Sequence, residues 1–95
     1  MRPLLLPLLL LWAIGAARAD DALARVKARG VLRVATDATY QPFEFVEDGE
    51  VRGFDRDIGD AIGNALGVRV RWTSMEWAGV LPAVTTDKAD LVLSG

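Results

Sequence analysis

The chain has 95 residues, with 11 Lys and Arg against 13 Asp and Glu and neither cysteine nor histidine. That composition excludes disulfides, thiolate chemistry and the imidazole that most often serves as metal ligand and general base. The formal charge of −2, which becomes −4 once Arg2 and Arg18 are set aside, argues against the concentrated basic face of a nucleic-acid binder.

Residues 1–19 read as a secretory signal peptide. Met1-Arg2 is a short positive start, Leu4 to Leu11 is nearly all leucine, and Ala17-Arg18-Ala19 fits the small-x-small cleavage pattern. The apolar run from Pro3 to Ala17 is shorter than the roughly 20 residues that cross a bilayer. It therefore reads as a cleaved signal and not as an anchor. Residues 20–95 are too few for more than a modest core.

Asp20 to Arg29 is a predicted helix that Gly30 ends. Val31 to Thr36 is a predicted strand of high apolar content (Val31, Leu32, Val34, Ala35), as a buried parallel strand would be. Asp37 to Pro42 is a predicted loop, and Phe43 to Val46 a short strand. Asp48-Gly49 supplies the hairpin turn that brings Val51 and Arg52 back. Phe54 to Leu66 is the clearest helix, with Ile58, Ile62 and Leu66 at four-residue spacing and Gly67 as its stop. Gly59 and Gly63 lie inside that pattern and point to close helix packing, not to a phosphate loop. Val68 to Thr73 alternates as a strand with one exposed face. A helix is predicted from Trp77 to about Asp87, with Pro82 in its first turns or kinking it, and a strand from Ala89 to Leu93. Alternating strands and helices predict an open α/β fold with a mainly parallel sheet. Ligands of such sheets bind beyond the carboxyl ends of the strands.

Three segments follow strands. The first, Asp37 to Phe43, offers a carboxylate, hydroxyls and two aromatic rings. An ammonium group can sit against an aromatic face and be neutralised by a carboxylate. Tyr40 suits a half-wet site, Phe43 is assigned to the core, and Asp37 either caps a turn or meets a ligand. Trp77 either walls a bound side chain or docks its helix. Ser94-Gly95 carries a hydroxyl and an N–H. Asp55 and Asp57, two apart at a helix start, read as helix caps and not as an acid–base pair. Glu44, Glu47, Asp48 and Glu50 read as a solvated hairpin tip. No catalytic constellation and no cofactor or metal site emerges.

The sequence resembles the bacterial extracellular solute-binding proteins of family 3, the polar amino acid binders of ABC importers. The resemblance runs from about Leu23 to Gly95. It is carried by Gly30-Val31-Leu32-Arg33-Val34-Ala35-Thr36-Asp37, Tyr40-Gln41-Pro42-Phe43-Glu44-Phe45, Gly53-Phe54-Asp55-Arg56-Asp57-Ile58, Leu81-Pro82-Ala83-Val84 and Asp90-Leu91-Val92-Leu93-Ser94-Gly95. It implies a two-lobe Venus-flytrap fold, of which residues 20–95 are the N-terminal part of the first lobe. It implies that Asp37 and Tyr40 touch the ligand side chain, that Trp77 packs on it, and that Ser94 and Gly95 begin the segment holding the α-amino and α-carboxylate groups. Arg56 stands where the family often has an apolar residue and is expected to face solvent. The family's carboxylate-clamping arginine is expected within about ten residues beyond Gly95, and the second lobe after it. The chain thus reads as truncated at Gly95, and no measurable amino acid binding is expected of it alone. The implied function is periplasmic capture of a small polar solute, an amino acid, and delivery to an inner-membrane ABC permease without cofactor, metal or nucleic acid. Alternatives on the same scaffold are a periplasmic dehydratase acting on prephenate-like acids (a cyclohexadienyl dehydratase), a lytic transglycosylase's binding domain, and a receptor kinase's sensor domain.

Overall fold

The computed structural model describes residues 21–95, so the signal-peptide reading of residues 1–19 lies outside the described residues. Residues 21–29 form helix α1. They lead into β1, Val31–Thr36, the central strand of a three-stranded parallel sheet in the order β5-β1-β6. On one side β1 pairs with β5, Arg69–Ser74, in register from Val31↔Arg69 to Thr36↔Ser74. On the other it pairs with β6, Leu91–Val92, through Val34↔Leu91 and Ala35↔Val92. A strand flanked on both edges and covered on both faces must be apolar, and Val34 and Ala35 are 1% and 0% exposed.

The two faces of β1 pack differently. Leu32 and Val34 join Val26 of α1, with Ile62, Leu66, Val70 and Trp72 packed against them. Ala35 turns the other way, toward Ala83 and Ala89, with Met75 and Val92 beside them. Between β1 and α2 the chain makes a small antiparallel sheet, β2-β3-β4, from Thr39–Tyr40, Glu44–Glu47 and Glu50–Arg52. Asp48 and Gly49 both have positive φ, as the two-residue hairpin turn requires. The β2–β3 turn passes through a cis Gln41–Pro42 bond, and the Phe43 N–H donates to the Tyr40 carbonyl at 2.8 Å.

Helix α2, Phe54–Leu66, has the predicted bounds. Gly67 ends it in the left-handed conformation, and Val68 N–H donates to Gly63 O at 3.0 Å while Gly67 N–H reaches Asn64 O at 3.1 Å. This is the double carbonyl cap of a Schellman ending. The face nearest the sheet runs through Asp55, Gly59 and Gly63, with Ile62 and Leu66 alongside and Ile58 38% exposed. A Cβ on Gly59 would collide with the Trp72 ring, and one on Gly63 with Val70. The two glycines permit the close approach read from the sequence.

Several expectations change. The helix predicted from Trp77 to Asp87 stops as α3, Trp77–Val80, and residues 81–87 are turns. Pro82 has no N–H to donate back along the helix. The Thr85 and Thr86 hydroxyls both donate to the Pro82 carbonyl, at 3.0 and 2.9 Å, and so compete with a regular helix ladder. The last strand is two residues, not five, although the Asp90 and Leu93 N–H groups extend its bonding to Arg33 O and Ala35 O. The loop predicted over Asp37 to Pro42 contains β2. Phe43 is not in the core: it is 38% exposed, with its ring edge-on to Tyr40 at 5.1 Å. Arg56 is not a free surface cation. It donates to the Val51 carbonyl at 2.6 Å and pairs with Asp60 and Glu50, tying β4 to α2.

Candidate functional site

All three strands of the parallel sheet end on one edge, at Thr36, Ser74 and Val92. Asp37 follows the first, Trp77 the second after Met75 and Glu76, and Ser94 and Gly95 the third. Main-chain bonds continue past the strand ends. Met75 N–H donates to Thr36 O at 2.9 Å, and Leu93 N–H to Ala35 O at 3.1 Å.

Asp37 is gripped from both sides by its backbone. Its N–H donates to Ser94 Oγ at 3.2 Å, and its carbonyl accepts from Ser74 Oγ at 3.3 Å. The adjoining turn is closed by Thr36, whose Oγ1 accepts the Ala38 N–H at 3.3 Å, so Asp37 is not the turn cap. Among the described residues no side chain or N–H donates to its carboxylate, which leaves that charge available.

Ser94 and Gly95 rest on two acids that the local pattern of the sequence did not single out as a pair. Ser94 Oγ donates to Glu44 Oε1 at 3.2 Å. The Gly95 N–H is shared between Glu44 Oε2 at 3.1 Å and Asp55 Oδ2 at 2.7 Å. Glu44 is 2% exposed and Asp55 7%. Glu44 is therefore not part of a solvated hairpin tip. Asp55 makes no side-chain cap on α2, whose N-cap is Gly53. Burial pushes the Glu44 carboxyl above the usual glutamate range and its hydrogen bond with Asp55 adds to the rise, while the Gly95 amide and Ser94 hydroxyl pull the other way. A buried carboxylate without a cation is costly. The signal for Glu44 lay in its place between Phe43 and Phe45, an unusual setting for a solvated tip.

The corner holding this pair has no room to spare. Gly53 has φ 117°, and a Cβ there would lie 2.6 Å from Phe43 O and 2.7 Å from Pro42 O. Phe54 N–H and Asp55 N–H donate to those same two carbonyls, at 3.1 and 2.8 Å. Asp55 is thus fixed against β3 by its own backbone before its side chain reaches Gly95. A Cβ on Gly95 would sit 2.9 Å from Asp55 Oδ2 and 3.1 Å from Glu44 Oε2.

The structure brings together three of the five residues singled out by sequence: Asp37, Ser94 and Gly95. Tyr40 is 54% exposed on β2, in register with Glu44. Trp77 is 52% exposed at the start of α3, and among the described residues it shares no hydrogen bond or ring pair with the other four.

A second cluster locks the opposite end of β6 to β1. Asp90 receives the Arg33 N–H and Arg29 Nη1 at 2.9 Å each, and Arg33 Nη2 at 2.9 Å with Nε at 3.3 Å. Arg33 also reaches Asp87 at 2.9 Å. Burial alone would push the Asp90 carboxyl up, but the bonds from Arg33 outweigh it and hold the group below the usual aspartate range. Asp87 is held low by Arg33 as well. The Arg33 guanidinium is in turn pushed further up, by Asp90 first.

Known proteins place this arrangement in context. The family model of the bacterial extracellular solute-binding proteins, family 3, matches residues 32–95. An L-arginine-binding protein of Pseudomonas aeruginosa is 38% identical over 64 residues, covering 66% of this chain and 25% of that protein. A cyclohexadienyl dehydratase of the same organism is 33% identical over 77 residues, covering 80% of this chain and 29% of that protein. Among solved structures, the arginine-bound form of domain 1 of the T. maritima ArgBP superposes with a TM-score of 0.72 at 39% identity, covering 75% of this chain and 57% of that one. The chain spans about a quarter of the first relative and less than a third of the second.

Proposed function

The chain belongs to the bacterial extracellular solute-binding proteins, family 3, and on that premise we propose that it contributes the first lobe's binding edge to a periplasmic protein that captures an amino acid for an ABC importer. One observation carries the reading: among the described residues the Asp37 carboxylate stands unpartnered at the meeting point of three parallel strand ends while its backbone is bonded on both sides. A fixed, unspent carboxylate at that edge suits a cationic group. Tyr40 and Trp77 are exposed rings for the aliphatic stem of the ligand. Ser94 Oγ meets the ligand's donors, and Gly95 sets the course of the chain beneath them. A second lobe closes over the ligand, and the closed form is what the permease receives. The resemblance to an L-arginine-binding protein and to an arginine-bound domain 1 supports a basic amino acid as ligand.

The resemblance to a cyclohexadienyl dehydratase supports a second reading, an enzyme on the same scaffold. Calorimetry on the full-length protein separates the two. Saturable binding of L-arginine, L-histidine or L-cystine without turnover is expected. Turnover of prephenate with no amino acid binding would replace the transport reading by the enzymatic one.

A further inference from the structure

We infer that Glu44 keeps its proton where it meets Asp55 at the Gly95 amide, and that this carboxyl pair is a positioning device for Ser94 and Gly95.

Both acids are buried, and both aim an oxygen at one N–H. One amide proton does not neutralise two carboxylates, and like charges at such range are not both retained in a dry setting. The surroundings offer no cation instead. From β2 the residue in register with Glu44 is Tyr40. From β4 the nearest charges, Arg52 and Glu50, pair with each other. From α2, Arg56 is committed to Val51 O, Glu50 and Asp60. The segment after β6 brings a hydroxyl and an amide, and the Asp37 side of the cluster brings a backbone N–H. Among the described residues no Arg or Lys contacts either acid.

The consequence reaches the candidate site. A serine hydroxyl has one proton to give and two lone pairs. Ser94 gives its proton to Glu44 Oε1 and accepts the Asp37 N–H, so one lone pair is left. Toward the cleft Ser94 is an acceptor only. The Gly95 N–H is likewise already used. This part rests on the solute-binding reading: such an edge favours a ligand's ammonium or guanidinium and offers nothing to its carboxylate.

A carbon-13 and nitrogen-15 NMR titration of the full-length protein tests the pair without any ligand. The Glu44 carboxyl resonance, assigned by its loss in Glu44→Gln, should remain in its protonated position at a pH where a glutamate in a short free peptide has ionised. The Gly95 amide should shift with the same midpoint, and Asp55→Asn should move that midpoint down. A Glu44 resonance that titrates with the free-peptide glutamate, or a Gly95 amide indifferent to it, overturns the inference. L-Arginine binding gives the functional arm. Glu44→Gln, which preserves an acceptor for Ser94 and a donor for Asp55, should bind within about twofold of the parent, and Glu44→Leu about tenfold more weakly. Equal affinity in both variants overturns the positioning role. A parent that binds no L-arginine counts against the ligand reading alone, and the titration still decides the pair.

Discussion

Glu44 and Asp55, eleven positions apart on different elements, meet at the Gly95 amide, which lies 3.1 Å from Oε2 of one and 2.7 Å from Oδ2 of the other. Arg33 and Asp90 form the opposite kind of contact, a cation and an anion joined by three bonds, with a fourth reaching the carboxylate from Arg29. The two clusters brace the two ends of the short β6 region. Their settings shift the two carboxyls in opposite directions, Glu44 up and Asp90 down.

Glu44 is raised on folding, so its contribution to stability is complete below a glutamate's ordinary 4.5 and is lost as pH rises through the folded value. Asp90 is lowered, so its contribution is present above an aspartate's ordinary 3.8 and is lost as pH falls through the folded value. Urea midpoints measured across the acid and neutral range should show both limbs. Glu44→Gln should flatten the decline on the rising side and leave the acid limb. Asp90→Asn should flatten the acid limb and cost roughly 2 kcal/mol at neutral pH, since it removes charge-assisted bonds from a partly buried guanidinium. A variant pair with unchanged pH profiles would remove both assignments.

Substitution of the helix glycines should separate packing from propensity. Gly63→Ala gains up to about 1 kcal/mol of helix propensity, but the new methyl meets Val70 and lies 3.3 Å from the Val68 carbonyl, which cannot yield. Overpacking of this kind costs roughly 1–3 kcal/mol, so the net effect in chemical denaturation should be destabilising. Asn64→Ala, one position along on the exposed face, should be neutral or stabilising by a few tenths. Stabilisation by Gly63→Ala would show that α2 stands further from the sheet.

The two tryptophans nearest β5 should divide between stability and binding. Trp72 packs on the central core and its Nε1 donates to Asp60 at 3.1 Å. Trp72→Phe should lower the melting temperature and leave ligand affinity nearly unchanged. Trp77 is half exposed. Trp77→Ala should barely move the melting temperature and should weaken L-arginine binding by roughly 1–3 kcal/mol, measured by calorimetry. Unchanged affinity would make Trp77 a residue that only seats α3.

Much of the fold was legible because its signals are local. The bounds of Phe54–Leu66 follow from a four-residue apolar spacing and a terminal glycine, and the Asp48-Gly49 turn from a dipeptide that accepts positive φ twice. The strand-end rule alone puts Asp37, Trp77, Ser94 and Gly95 on one edge. The misreadings share a different cause. Position at a helix start marks Asp55 as a cap, whereas its carboxylate meets Glu44 at the Gly95 amide across the turn into α2. Sequence proximity groups Glu44 with Glu47, Asp48 and Glu50 as one acidic tip, although burial separates it from them. Phe43 was assigned inward on hydrophobicity, and the structure lays it against Tyr40 instead. Such outcomes depend on contacts between distant segments, which local periodicity does not encode. Pro82 was noticed, but two successive threonines turning on its carbonyl decided that the helix would end.

The bonds that place Ser94 and Gly95 join residues 40 to 57 positions apart, whereas β1 and β5 pair at a fixed separation of 38. Closing longer loops costs more chain entropy and comes later in time. The hairpin, α2 and the β1–β5 ladder have everything they need once Ser74 has left the ribosome. The strand-end edge around Asp37, by contrast, is not closed until Ser94 and Gly95 reach it. Within residues 21–95 assembly thus runs from core to edge: the surface around Asp37 is closed on a scaffold already in place.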